Sequence, residues 1–159
     1  MIVDAKIAFK QLYKAIEHCH SRDIVHRDIK LDNIVVDAES KVKLVDFGLS
    51  INLAVCKKVA VSGTPIYLSP EIVNREPHEN KPADIWAAAV CLYRCVLGRF
   101  PFKGLNEVEL YDHIKAGIGP LPSYLSFNLH DLLTKCFAYD PSTRLTASQV
   151  VNHLWFASS

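Results

Sequence analysis

The residues that could do chemistry crowd into one stretch, His26 to Gly48. It reads H-R-D-I-K-L-D-N, an apolar run, a polar turn, a second apolar run and D-F-G. Asp28 offers a carboxylate in a loop, with Lys30 two residues on and Asn33 five residues on. Asp46 ends the second run, and Phe47 and Gly48 follow it. Residues 34–36 and, apart from Lys43, 42–45 are β-branched or apolar and Asp37-Ala38-Glu39-Ser40 between them is turn-forming, so the pattern predicts a β-hairpin. A hairpin of that length carries Asn33 at its entry and Asp46 at its exit to the same end. Two oxygen ligands so placed suit Mg2+, which takes a few protein oxygens along with water and substrate phosphates. Asp28 could take a proton from an attacking hydroxyl. Lys30 could neutralise charge developing on a transferred phosphoryl group. The competing reading is a polar loop and hairpin that carry acids by chance. It would suffice for either motif alone, and weakens when both occur in order.

The elements that must hold these residues can be read from periodicity. At 159 residues, half of them hydrophobic, the chain can bury one sizeable core. Asp4 is a fair N-cap for a helix to about His20, with Ala5, Phe9, Leu12, Ile16 and Cys19 on its covered face and Lys6, Lys10 and Lys14 on a solvated one. His18-Cys19-His20 could be read as metal ligands, but adjacent helical residues diverge and no second pair follows at zinc spacing. Residues 82–97 are apolar all round apart from Asp84 and Arg94, with proline at the start and Gly98 at the end, which predicts a buried helix. A charge such as Asp84 is costly there unless hydrogen-bonded. Three shorter helices should follow. Asn106 with Glu109 resembles a capping box, Ser126 can cap a stripe of Leu129, Leu132, Leu133, Cys136 and Phe137, and Thr146 with Gln149 opens the last.

Composition excludes some classes. The formal net charge is +1 with acids and bases interspersed, so neither a nucleic-acid nor a membrane-surface partner is expected. The five cysteines are an odd number set in apolar patterns, which suggests buried thiols in a reducing compartment. The N-terminal residues lack a signal-peptide pattern, and the longest apolar run, residues 85–93, is too short to span a bilayer. A cytosolic or nuclear location is the expectation.

The stretch from His26 to Gly48 resembles the catalytic loop and metal-binding motif of eukaryotic protein kinases, and Lys30 after Asp28 resembles the serine/threonine branch. The likeness extends along the chain. Gly63-Thr64-Pro65-Ile66-Tyr67-Leu68-Ser69-Pro70-Glu71 is similar to the family's peptide-binding loop and its closing A-P-E. Asp84 with Trp86 is similar to D-x-W-x-x-G, with Ala89 in place of the glycine. Asp140 to Arg144 is similar to D-P-x-x-R.

The resemblance implies a mainly α fold, the helical C-terminal lobe of a kinase with a small β-hairpin at the cleft. Its parts would be a catalytic loop at 26–33, an activation segment at 46–71 and a helical subdomain at 72–157. By the same resemblance the activity is transfer of the ATP γ-phosphoryl group to protein Ser/Thr hydroxyls. Asp28 would be the base, Lys30 and Asn33 would assist, Asn33 and Asp46 would hold Mg2+, and Val35 would lie under the adenine. Thr64 would bond Asp28 and Lys30, and Asp84 would hold the catalytic-loop backbone. Glu71 would pair with Arg144, while His26 and Phe47 would be structural. Arg27 would pair with a phosphate on the activation segment. Ala60 stands at the usual acceptor position, which leaves Ser62 as the nearest substitute and Ser50 a distant second.

Within these residues there is no G-x-G-x-x-G hairpin, no V-A-I-K strand and no helix supplying its glutamate partner, so the likeness covers the lower lobe alone. Three readings stay open. One is the lower lobe of a serine/threonine kinase that needs an upper lobe and does little alone. The second is a non-catalytic, kinase-derived binding module or pseudokinase. The third is a structural remnant.

Overall fold

The computed structural model describes residues 2–56 and 61–157. Helix α3 (Asn80–Leu97) is the axis of the core, with residues 84–93 all buried. It ends where Gly98 takes the left-handed backbone (φ +71°) that favours glycine. The helix begins at Asn80, two residues before the expected start. Pro82 therefore falls within the first turn, where a missing N–H breaks no intrahelical bond. Trp86 lies at the centre, stacked on Phe102 at 5.5 Å and edge-on to Phe137 at 5.0 Å. Ala89 is wholly buried.

Against α3 pack α1 (Ile2–His20) and α5 (Phe127–Cys136), while the short α6 (Ala147–Val151) packs on α1 and α7 (Leu154–Ala157) on α1 and α5. Phe9, Leu12 and Ile16 of α1 are buried as the periodicity predicts, with Tyr13 beside them. Asp4 lies inside α1 rather than before it, because the helix already runs from Ile2. The α5 stripe from Leu129 to Phe137 is buried, and Ser126 accepts from the Leu129 N–H at 3.3 Å. The cap of α4 (Glu107–Lys115) differs from a closed box. Asn106 accepts from the Glu109 N–H at 2.9 Å, but the Glu109 carboxylate reaches one residue further back, to the Leu105 N–H at 2.7 Å.

The last expected helix is two. Thr146 and Gln149 do form a capping box on α6, but the chain breaks at Asn152 and His153 before α7 begins. His153 starts the second piece. Its Nδ1 accepts from the Trp155 N–H at 3.1 Å and its Nε2 donates to Asp131 at 2.9 Å. This docking brings Trp155 under the Lys6 ammonium, 5.5 Å from the ring centroid. Lys6 and Lys10 are thus half-buried, not solvated. The cysteines also divide: Cys91 and Cys136 are buried and Cys19 is half-buried, but Cys56 and Cys95 are exposed, against the expectation of five buried thiols.

Strands are few. The predicted hairpin is present as β2 (Ile34–Val36) and β3 (Val42–Leu44), antiparallel, with Ile34 opposite Leu44 and Val36 opposite Val42. Its turn is held by Asp37, whose carboxylate accepts from the N–H groups of Glu39 and Lys41 at 2.9 Å. A second pair, β1 (Ile24–Val25) with β4 (Ile51–Asn52), was not anticipated, because two-residue strands carry no periodicity. It ties the chain after D-F-G to the chain before H-R-D.

Glu71 in α2 (Pro70–Val73) and Arg144, after the 3-10 turn Pro141–Thr143, form a bidentate ion pair at 2.8 and 3.1 Å. Arg144 uses all five of its donors, adding the carbonyls of Ala138, Pro82 and Tyr139. Its guanidinium lies 5.0 Å from the centroid of the Trp86 ring, and both members of the pair are buried. Arg144→Ala is expected to destabilise the chain by about 3–5 kcal/mol, because the Glu71 carboxylate is left buried and unpaired. Urea unfolding of parent and variant measures it, and equal midpoints would contradict the pairing.

Acid should act through carboxylates at or near the surface. Hydrogen bonds from Lys135 and His153 hold Asp131 below the usual carboxylate range, and those from Ser142 do the same for Asp140. A depressed folded pKa gives stability that is present above the unfolded value, about 3.9, and is lost as pH falls through the folded one. The unfolding midpoint is therefore expected to fall below about pH 4.

Candidate active site

The loop that carries Asp28 is positioned from below by one buried carboxylate. Asp84, in the second turn of α3, accepts from the backbone N–H of Arg27 at 3.0 Å through Oδ1. Its Oδ2 accepts from the N–H of His26 at 2.9 Å and from His20 Nε2 at 2.8 Å. Arg27 sits at φ +71°, a conformation costly for a residue with a side chain. The bond from its own N–H to Asp84 helps to hold it there.

His26 is buried and joins two motifs. Its Nδ1 accepts from the Asp28 N–H at 3.2 Å, so the proton lies on Nε2, which donates to the Val45 carbonyl at 2.9 Å. Phe47 packs edge-on against the His26 ring at 4.7 Å. The loop and the D-F-G segment are thereby joined through a single imidazole.

Asp28 faces a closed set of partners. Its Oδ1 accepts from the Thr64 hydroxyl at 3.0 Å, and the Lys30 ammonium donates to the same hydroxyl at 3.1 Å while lying 3.7 Å from Asp28 Oδ2. Asn33 is buried and donates through Nδ2 to the Asp28 carbonyl at 2.9 Å, which leaves its amide oxygen as the atom available to a cation. The Asn33 carbonyl accepts from the Val45 N–H at 2.9 Å, so Asp46 follows immediately on the residue paired with Asn33. Asp46 is exposed, at φ +59°, and accepts from the Gly48 N–H at 3.2 Å. A Cβ at position 48 would meet that carboxylate oxygen at 3.1 Å. Val35 is 41 % exposed on β2.

The residues between D-F-G and S-P-E fall unevenly. Gly63 takes φ +118° and passes so close to Arg27 that a Cβ would meet its carbonyl at 3.2 Å. Ser62 is half-buried, and its hydroxyl is enclosed without a hydrogen-bond partner among the described residues. The Arg27 guanidinium donates to the Leu49 carbonyl at 3.2 Å. Burial pulls the Arg27 guanidinium below its ordinary pKa, with the Asp84 carboxylate opposing that shift. Ala60 lies outside the described residues.

Two supporting residues escaped the sequence reading. His20 does not serve as a metal ligand, because its Nε2 is engaged by Asp84. The available signal was its place one turn beyond Ile16, a polar residue on the apolar face of α1. Tyr67 is the second: its hydroxyl accepts from the Leu31 N–H at 3.4 Å, and burial pushes the phenol up to about 12. Nothing in its spacing marks it.

A family model described as protein kinase domain matches residues 3–156. The probable serine/threonine-protein kinase MARK-A of Dictyostelium discoideum is 36% identical over 156 residues, covering 98% of this chain and 15% of the relative. CBL-interacting protein kinase 10 of Oryza sativa subsp. japonica is 37% identical over 157 residues, covering 96% of this chain and 35% of the relative. Sperm motility kinase 3A of Mus musculus is 38% identical over 153 residues, with 96% and 30% covered. The chain therefore spans between 15% and 35% of the length of these relatives.

Removing the carboxylate under the loop should be costly. Asp84→Ala strips an acceptor from two backbone amides and from His20, at about 1–3 kcal/mol for each buried group left unsatisfied. Asp84→Asn keeps an oxygen for one part of the set and should fall between parent and alanine. Thermal unfolding of the three proteins checks the order, and an alanine variant as stable as the parent would remove Asp84 from the account.

Proposed function

The chain belongs to the protein kinase family, in its serine/threonine branch, and from that premise we propose that it forms the lower, C-terminal lobe of a catalytically competent kinase domain. In this reading the lobe transfers the γ-phosphoryl group of ATP to serine or threonine hydroxyls of proteins when an upper lobe covers it, and does little alone. The observation that carries the reading is the closed set of Asp28, Thr64 and Lys30 with Asn33 beside it. A module that only bound partners would have no physical need of those four groups at hydrogen-bond distance.

The residues present fit Mg2+ and nucleotide phosphates. Asn33 offers an amide oxygen fixed by its bond to the Asp28 carbonyl, and Asp46 offers an exposed carboxylate one residue beyond the backbone paired with Asn33. Both are hard oxygen donors, few in number, as Mg2+ beside phosphates requires. When bound, Mg2+-ATP supplies the transferable phosphoryl group and neutralises part of its charge. Asp28 then accepts the proton of the substrate hydroxyl and orients that oxygen. Lys30 sets positive charge beside Asp28, where phosphoryl charge develops. Thr64 joins the peptide-binding loop to the base, so that substrate and base are positioned together.

Val35, Val36, Phe47 and Leu49 are exposed apolar side chains on and after the hairpin, which supports a covering lobe over this side. Val35 would lie under the adenine. For regulation, Ser62 is the proposed phosphate acceptor and Arg27 its partner. The enclosed Ser62 hydroxyl means that the segment must open for a modifying enzyme to reach it.

Two measurements test this. A fusion of a nucleotide-competent kinase upper lobe to the chain is expected to phosphorylate a Ser/Thr peptide, while the chain alone stays at background and Asp28→Asn in the fusion loses transfer. A fusion that binds nucleotide yet stays inactive would favour the binding-module reading. Phosphate mapping on active protein from cells is expected to find Ser62 or no phosphate within residues 46–71. A stoichiometric controlling phosphate outside those residues would overturn the regulatory part.

A further inference from the structure

A large cavity lies away from Asp28, where the end of α1, the loop into α3 and residues 141–148 meet. Its volume is about 740 Å³, within the range of sites that take a ligand. The walls are mostly apolar, with Pro77, Pro82, Pro141, Ile85, Leu145 and Ala147 among them. The three prolines offer no backbone N–H, so those walls present ring surface rather than donors.

The charges in the lining are unequal. Arg144 is matched by Glu71, Lys81 Nζ lies 2.8 Å from Asp23, and His20 is taken by Asp84. Much of the polar lining is likewise spent internally: Ser21 on the His18 carbonyl, Ser142 on Asp140, Thr146 on its helix cap and His78 on the Glu76 carbonyl. Glu17 and Glu79 remain, two carboxylates with no ion-pair partner among the described residues. An occupant complementary to this cavity is apolar at its centre and cationic at its edges.

We propose that this cavity binds an extended protein segment carrying an apolar anchor flanked by arginine or lysine. The anchor fills the space between the prolines and Ile85, and the cations meet Glu17 and Glu79. The inference stands apart from catalysis, since among the described residues no hydrogen bond or ion pair joins this lining to Asp28, Lys30, Asn33 or Asp46. It has a consequence for the site all the same. Two of the lining side chains, His20 and Arg144, hold Asp84 and Glu71, so a bound segment would rest against both of the buried pairs that fix the catalytic loop and the activation segment.

The test is fluorescence anisotropy of the 159-residue chain titrated with a short fluorescein-labelled peptide of alternating leucine and arginine. A second peptide has glutamate in place of arginine. Saturable binding of the first peptide and none of the second is expected. The double variant Glu17→Gln, Glu79→Gln should weaken binding about fivefold to tenfold, as two partly exposed ion pairs imply. Ser148→Trp should abolish it by filling the mouth of the cavity; Ser148 is exposed, so the fold should tolerate the change. Val36→Ser, on the exposed hairpin, should leave binding as it is. No binding, equal binding of the glutamate peptide, parent affinity in Ser148→Trp, or loss in Val36→Ser alone would each overturn the proposal.

Discussion

A carboxylate buried at the start of the central helix is tolerable only if its oxygens are spent, and Asp84 spends them on three donors at once. Two of these are consecutive backbone amides, His26 and Arg27, so the contact fixes the path of the chain as well as a side chain. That path includes a left-handed residue, which the surrounding structure must hold in place. Once the backbone at 26–27 is set, His26 reaches both the Asp28 N–H and the Val45 carbonyl, and the D-F-G segment is placed by the same ring. The geometry around Asp28 follows from a bond made beneath it.

The second fixed point is the pair of Glu71 and Arg144. It is bidentate, buried, and has every guanidinium donor satisfied, which is the condition under which a buried ion pair can repay its desolvation. Where the Asp84 contact holds the H-R-D loop to α3, this one holds the S-P-E stretch to the turn after α5. Thr64 lies between the two anchors and meets Asp28 at 3.0 Å. The apolar cluster around Trp86 supplies the non-directional part of stability, and the two buried acids supply direction.

Much of the fold could be read from the chain, and the residues explain why. The long helices carry periodic apolar faces, the hairpin has β-branched runs on both sides of an Asp-led turn, and Ser126 and Thr146 lie where caps must be. What periodicity cannot encode was missed. The strands at 24–25 and 51–52 are two residues long, and the break at Asn152 depends on a His153 cap that only tertiary contacts create. Glu109 bonds one residue beyond the expected cap. At the site, the spacing of Asp28, Lys30, Asn33, Asp46 and Thr64 drew attention to groups that the fold brings together. His20 and Tyr67 act through the backbone of others, and residue type alone does not announce such roles. Cys56 and Cys95 are exposed because a thiol in an apolar stretch need not point inward.

Bonds made within this chain fix the loop that carries Asp28, whatever lies above it. Amide hydrogen exchange of the 159-residue chain under native conditions tests that directly. The amides of His26 and Arg27 are expected to exchange as slowly as those in the middle of α3, since both are released only when Asp84 lets go. Exchange at those two positions as fast as at exposed turn amides such as Ala54 would contradict the account.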